Sequence, residues 1–291
     1  MGSIHQSPIG LVPLNWKYSP EKISQYLGGI AEYGFEGIQI SLEQGRNPEF
    51  MAELKRLNIK VAEHYIAIRC TPEGPVAGFD HEYLDQIAFS KEFGVEMLVF
   101  AVDGSLDREK VAGRVSSKDS LTTAGLQALA DYINELAAKA VAAGIACSFH
   151  PHAATYIETP EESAALMALL KPELMSVCLD VGHWLVGGGD PVAAVSTFGH
   201  RIAHVHVKDV SGDVLRTMIA GGYATMEEAV VTDKLFVPAG TGLLNLETLF
   251  NALNSIGYSG WLMSEQDSAF EPSEQASEIS MKYIKEALSK I

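Results

Sequence analysis

The chain has 291 residues, 47% hydrophobic and 20% charged, a composition that excludes global disorder and provides for a large core. Its formal net charge of −16 argues against a nucleic-acid partner, because non-specific binding to a polyanion takes clustered Lys and Arg. No apolar run reaches the roughly 18 residues of a membrane span, and "MGSIHQSPIGLV" lacks a cationic start before a long apolar stretch, so neither export nor a membrane partner is expected.

Short runs rich in Val, Ile, Phe and Leu alternate with segments of helical period, which predicts repeated strand-helix units around a parallel sheet. In chain order the strands are "IGLVPLNW" from Ile9, "GIQI" from Gly37, "KVAEHYIA" from Lys60, "EMLVFAV" from Glu96, "ACSFHPH" from Ala146, "MSVCLDVGH" from Met175, "IAHVHVKD" from Ile202 and "GWLMSEQD" from Gly260. Between them, Leu126, Leu129, Ile133, Leu136 and Ala140 recur in steps of three and four and stop at Gly144, the pattern of a helix with one apolar stripe. "TPEE" starts another helix, with Thr159 as cap, Pro160 in the first turn and Glu162 completing a capping box. "SPEK" at Ser19 and "GDPV" at Asp190 repeat the cap-then-proline start. No Pro- or Ser-rich linker divides the chain, so residues 1–291 are expected to form one α/β domain, a single (β/α)8 barrel with its site at the C-terminal mouth of the strands.

Two connections exceed the roughly 2–6 residues usual in such units and are candidate lids: "RCTPEGPVAGFD" after strand three, and the stretch from Val210 to Leu243 after strand seven, where "AGGYATMEEAV" can hold a short helix. "VGGGDP" and "PAGTG" read as turns, since neither has the spacing of a phosphate-binding loop. Cys70, Cys147 and Cys178 are far apart and odd in number, which points to reduced thiols and a cytoplasmic setting.

Strand ends of a barrel converge on one mouth, and side chains two apart share a face. His150 therefore points with His152, and His204 with His206 and Lys208; Asp180 closes strand six, and Glu265 with Asp267 closes strand eight. Imidazole and carboxylate groups from four consecutive strands reach one space, a way to hold a divalent cation with residues remote in sequence. The expected metal ligands are His150, Asp180, His206 and Glu265.

At these residues the sequence resembles the xylose-isomerase-like barrels. The likeness is carried by "LDVGHWLVGGGDPVAAVSTFGHRIAHVHVKDV" and "GYSGWLMSEQD"; "PIGLVPLNW", "FHPHAATYIETPEE" and "KLFVPAGTGLLNLETLFNAL" are most similar to the inosose (2-keto-myo-inositol) dehydratases. The family pattern places a metal ligand on each of strands five to eight, and the last three fall on Asp180, His206 and Glu265. On strand five, where many relatives carry glutamate, this chain has His150, which weakens an epimerase that exchanges protons between two carboxylates. The resemblance implies a metal-dependent lyase eliminating water from a sugar or cyclitol ketone through an enediolate. The alternatives are a ketose epimerase or sugar isomerase, then an abasic-site endonuclease or a sugar-binding protein. Glu265, Glu63, Lys208 and His152 are the candidate acid-base groups; Asn15, Trp16, His64 and His183 are the candidate substrate contacts. Mixed nitrogen and oxygen ligands suit manganese or cobalt, and zinc, iron or magnesium are also compatible. The sequence leaves open whether the chain forms a homo-oligomer.

Overall fold

The computed structural model describes residues 2–291. Eight strands, β1 (Ile9–Val12), β2 (Gly37–Gln39), β3 (Lys60–Ile68), β4 (Met97–Val102), β5 (Ala146–Phe149), β6 (Ser176–Asp180), β7 (Ile202–Val207) and β8 (Leu262–Glu265), close a barrel. Every neighbouring pair is parallel, and the seam is sealed by β1, which places Ile9 opposite Leu262 and Gly10 opposite Gly37. A Cβ at Gly10 would lie 2.4 Å from Met263 Sδ, so any larger residue there makes the Met263 side chain shift.

Each strand is followed by a principal helix: α1 (Ile23–Glu32), α2 (Pro48–Leu57), α3 (Asp80–Glu92), α4 (Thr123–Ala142), α5 (Pro160–Leu169), α6 (Pro191–Phe198), α7 (Leu246–Ser255) and α8 (Ser273–Leu288). The predicted stripe of α4 buries Leu129, Ile133, Leu136 and Ala140, and Gly144 turns the chain at φ 87°. Thr159 and Glu162 form the capping box of α5, and Asp190 caps α6 through the Val192 N–H. Ser19 departs from the pattern: Pro20–Lys22 is a single 3₁₀ turn, and the Ser19 hydroxyl turns to the Glu21 carboxylate instead of the backbone.

Several strands end earlier than the apolar runs suggest. β6 stops at Asp180, whose carboxylate accepts the His183 N–H at 2.7 Å and so caps a short helix, Val181–Val186. β1 stops at Val12, before Asn15 and Trp16. The connection after β3 is not a lid: it folds into a hairpin of Cys70–Thr71 with Gly74–Pro75, and the Pro72 carbonyl accepts the Thr122 N–H at the start of α4. The connection after β7 does reach the mouth. It carries helices Gly212–Ile219 and Met226–Asp233, and Met226, Val230 and Val231 of the second face the central pocket. The three cysteines are free thiols, and among the described residues no helix is long and apolar enough to cross a membrane.

Candidate metal centre and pocket

His150 directly follows β5, Asp180 ends β6, His206 lies on β7 and Glu265 ends β8, so the barrel brings together side chains up to 115 residues apart. One potential ligand atom from each lies within 4.8 Å of all the others. Each residue also holds one buried atom without a hydrogen-bond partner: His150 Nδ1, Asp180 Oδ2, His206 Nδ1 and Glu265 Oε2. Buried polar atoms are costly when left unsatisfied; Asp180 Oδ2 faces His150 Nε2 at 3.5 Å and His206 Nδ1 at 3.7 Å, and a mixed nitrogen and oxygen cluster from four separate strands fits a divalent cation. Cys178 forms another grouping with His150 and His206, but burial pushes its thiol up to about 11. The oxygen and nitrogen set is therefore the better prepared of the two.

Behind this set, Glu63 is fully buried, and its Oε2 accepts from Nε2 of His204 and, at 2.9 Å, from Nε2 of His206. Burial alone would raise its pKa, yet the two histidines hold it well below the usual carboxylate range. The contact fixes the His206 ring with Nδ1 turned toward Glu265 Oε2 at 2.6 Å and Asp180 Oδ2 at 3.7 Å. Glu63, expected as a proton acceptor at the mouth, instead lies beneath the histidines and off the pocket wall.

Lys208 is also fully buried. Its ammonium donates to Glu265 Oε1 and Asp267 Oδ2, each at 2.9 Å, and to His183 Nε2 at 2.8 Å, which uses all three N–H bonds. Burial disfavours the cation, but Asp180, Asp267 and Glu265 outweigh it and raise its pKa, so Lys208 is a fixed positive charge and not a proton acceptor. The same pairing acts on its partners. Glu265 falls to about 2 because Lys208 and His206 overcome burial, whereas Asp267 rises to about 7 because burial and the adjacent Glu265 overcome Lys208.

The remaining expected residues divide into those on the pocket and those behind it. His152 lines the pocket, donates Nδ1–H to the Ala153 carbonyl at 2.6 Å, and is drawn to about 3 by burial and by the neighbouring His150 and Lys208. It is a neutral imidazole with only Nε2 free, not a proton donor. His183 stacks on it with ring centroids 3.6 Å apart and holds Lys208, without lining the cavity. Asn15 lines the pocket, but its amide nitrogen lies 2.5 and 2.9 Å from the Gln266 and Asp267 carbonyls and clamps the segment after β8. Trp16 packs edge-on against Tyr26 and Tyr33, donates to Ser277 Oγ at 3.0 Å and is outside the pocket. His64 points away from the barrel axis, between the Ile40 carbonyl at 3.0 Å and Gln86 at 3.2 Å.

The cavity above the four groups measures about 490 Å³. Gln39, Tyr65 and Asp267 add polar groups to its walls, and Met226, Val230 and Phe236 make one side apolar. At the rim, Glu109 Oε2 accepts the Glu227 N–H at 2.9 Å, joining the loop after β4 to the lid helix. Tyr65 and Glu109 were not foreseen as site residues, and Asp267, read as closing strand eight with Glu265, was given no role there. For Asp267 the signal was present, since it lies two residues after Glu265; for Glu109, in the loop after β4, there was none.

The family model for xylose isomerase-like TIM barrels matches residues 28–287. A rhizopine catabolism protein MocC from Rhizobium meliloti is 28% identical over 91% of this chain and 83% of its own. An inosose dehydratase from Clostridium beijerinckii is 26% identical over 96% of each chain. Among solved structures, the probable 3-DHS dehydratase AsbF from Bacillus anthracis superposes with a TM-score of 0.70 at 16% identity, over 96% of this chain and 98% of that one. The IOLI protein, solved with a bound zinc atom, gives 0.67 at 17% identity, over 98% and 97%. At such identities the two structures establish likeness of fold.

Proposed function

Because the chain belongs to the xylose isomerase-like TIM barrel family, we propose that it is a metal-dependent dehydratase that removes water from a keto-cyclitol or related keto-sugar through an enediolate. The observation that carries this reading is the convergence of four buried potential ligand side chains, His150, Asp180, His206 and Glu265, beside a pocket of about 490 Å³. The name of the C. beijerinckii relative, similar from end to end, supports the substrate class.

His150, Asp180, His206 and Glu265 would hold the cation, which when bound supplies Lewis-acid stabilisation of negative charge developing on substrate oxygens. Glu63 holds His206 in orientation, and Lys208 balances the carboxylates while fixing Glu265 and Asp267. Gln39, Tyr65 and His152 offer hydrogen-bonding groups to a polyol. Met226, Val230 and Phe236 exclude water from the opposite side, which strengthens every polar contact within. Manganese and cobalt are the favoured ions.

Incubating the manganese- and cobalt-loaded protein with 2-keto-myo-inositol and with 3-keto-sugars, followed by mass spectrometry, tests the reading. A product lighter by one water is expected. A product of unchanged mass but altered stereochemistry or carbonyl position would replace the dehydratase with an epimerase or isomerase.

A further inference from the structure

Asp267 lies two residues beyond Glu265, on the continuation of β8, and lines the pocket. Its two oxygens are treated differently. Oδ2 accepts from Lys208 Nζ at 2.9 Å, while Oδ1 is buried and has no partner. Of the other carboxylates, Glu265 is committed to Lys208 through Oε1 and to the candidate ligand set through Oε2, Glu63 to the two histidines beneath, and Glu109 and Glu227 lie at the rim, joined by the Glu227 N–H to Glu109. Lys208 has no free N–H and cannot accept a proton as an ammonium ion.

We propose that Asp267 is the base that removes the substrate's α proton and the acid that returns it to the departing hydroxyl. The assignment rests on the α-proton chemistry of the proposed function. A carboxylate oxygen of Asp267 forms an O–H bond as the α C–H bond breaks, and that electron pair becomes the carbon-carbon double bond of the enediolate while the carbonyl oxygen takes the negative charge. The charge then returns to re-form the carbonyl, the double bond shifts to the α and β carbons, and the β C–O bond breaks. The hydroxyl leaves with the proton from Asp267 as water, which regenerates the carboxylate. Lys208 orients the group by holding Oδ2.

Asp267→Asn, Asp267→Glu and His152→Gln, each manganese-loaded, are compared with the wild type for metal content, for deuterium uptake from heavy water into 2-keto-myo-inositol and 3-keto-sugars, and for water loss. Asp267→Asn should keep its metal and lose both deuterium uptake and water loss by about 10²–10⁴-fold, the usual worth of a general base. Asp267→Glu, which restores a carboxylate one methylene away, should recover part of the uptake. Wild-type uptake rates in Asp267→Asn, or loss of uptake that excess metal restores, would overturn the assignment. So would loss of uptake in His152→Gln alone, which would move the role to His152 Nε2. If the wild type exchanges the proton without losing water and Asp267→Asn abolishes the exchange, the dehydratase reading falls and Asp267 stands. If the wild type neither exchanges the proton nor loses water from any of these ketones, both fall.

Discussion

His206 shows how one residue is made fit for a ligand role. Its Nε2 is taken by Glu63 and its Nδ1 is turned toward Glu265 Oε2 at 2.6 Å and Asp180 Oδ2 at 3.7 Å, inside the group that also includes His150. Replacing a carboxylate behind a metal-binding histidine typically costs about 10–100-fold in metal affinity. Glu63→Gln should therefore weaken metal binding by that factor in equilibrium dialysis; unchanged affinity would show that the Glu63 contact does not tune His206. Glu265→Gln separates ligation from proton transfer: it should weaken metal binding yet retain much of the deuterium uptake at saturating metal, since Asp267 stays intact. Loss of uptake with the metal fully bound would return the role of base to Glu265. The four convergent groups were legible in sequence because alternation along a strand assigns His150, Asp180, His206 and Glu265 to strand ends at one mouth. Depth and side were not legible. Glu63 and His64 are adjacent, but one points inward beneath the site and the other outward to Gln86 of α3. Trp16 follows a strand that ends at Val12, so the turn beyond it carries the indole to Ser277 of α8.

The element that holds the pocket's β4 side is anchored out of sight of the cavity. Arg108, 1% exposed, makes a bidentate pair with Glu162 at 2.8 and 2.9 Å and donates to the Asp119 carbonyl at 3.0 Å. Glu162 also closes the capping box of α5, so one carboxylate joins the loop bearing Glu109 to the start of a helix. Glu162→Ala would take both carboxylate hydrogen bonds from a buried guanidinium, leaving it the Asp119 carbonyl and Glu158 at 3.8 Å, and breaking such pairs costs about 3–5 kcal/mol. Thr159→Ala, which removes only the cap, should cost about 1 kcal/mol. Denaturant unfolding of the two variants should show that ordering; equal losses would mean that the ion pair adds nothing beyond the cap. The cap was readable because its residues are three apart, whereas the Arg108 pairing spans 54 residues and no local pattern announces it. The long connection after β7 is similar. Its "PAGTG" turn looks like a plain tight turn, yet it wraps Asp209, whose carboxylate accepts the N–H groups of Gly240, Gly242 and Leu244 at 2.8–2.9 Å. A Cβ at Gly242 would lie 2.3 Å from the Val210 carbonyl, so that wrap depends on glycine.

For the molecule as a whole, placing the four groups at the ends of β5 to β8 would make cation binding at the proposed centre a property of the folded barrel. The unfolded chain separates His150 and Glu265 by 115 residues and offers no such site. A ligand that binds only the native state stabilises it by about 2.7 kcal/mol at one hundred times its Kd. For a chain of this size that is roughly 4–5 °C in Tm. Manganese at that excess should raise the Tm of chelator-treated protein by such an amount, with about one ion bound per chain, because four convergent ligands make one centre. His206→Ala removes the best-oriented ligand and should abolish most of the shift without lowering the metal-free Tm to the same degree. Lowering the pH should shrink the shift as well, since, against burial, the nearby carboxylates raise the pKa of His206, which must give up its proton to bind, and protons compete with the metal; raising the manganese concentration at the acid pH should restore it. A shift that persists in His206→Ala, or that does not respond to metal concentration at low pH, would place the stabilising ion elsewhere on this strongly acidic surface.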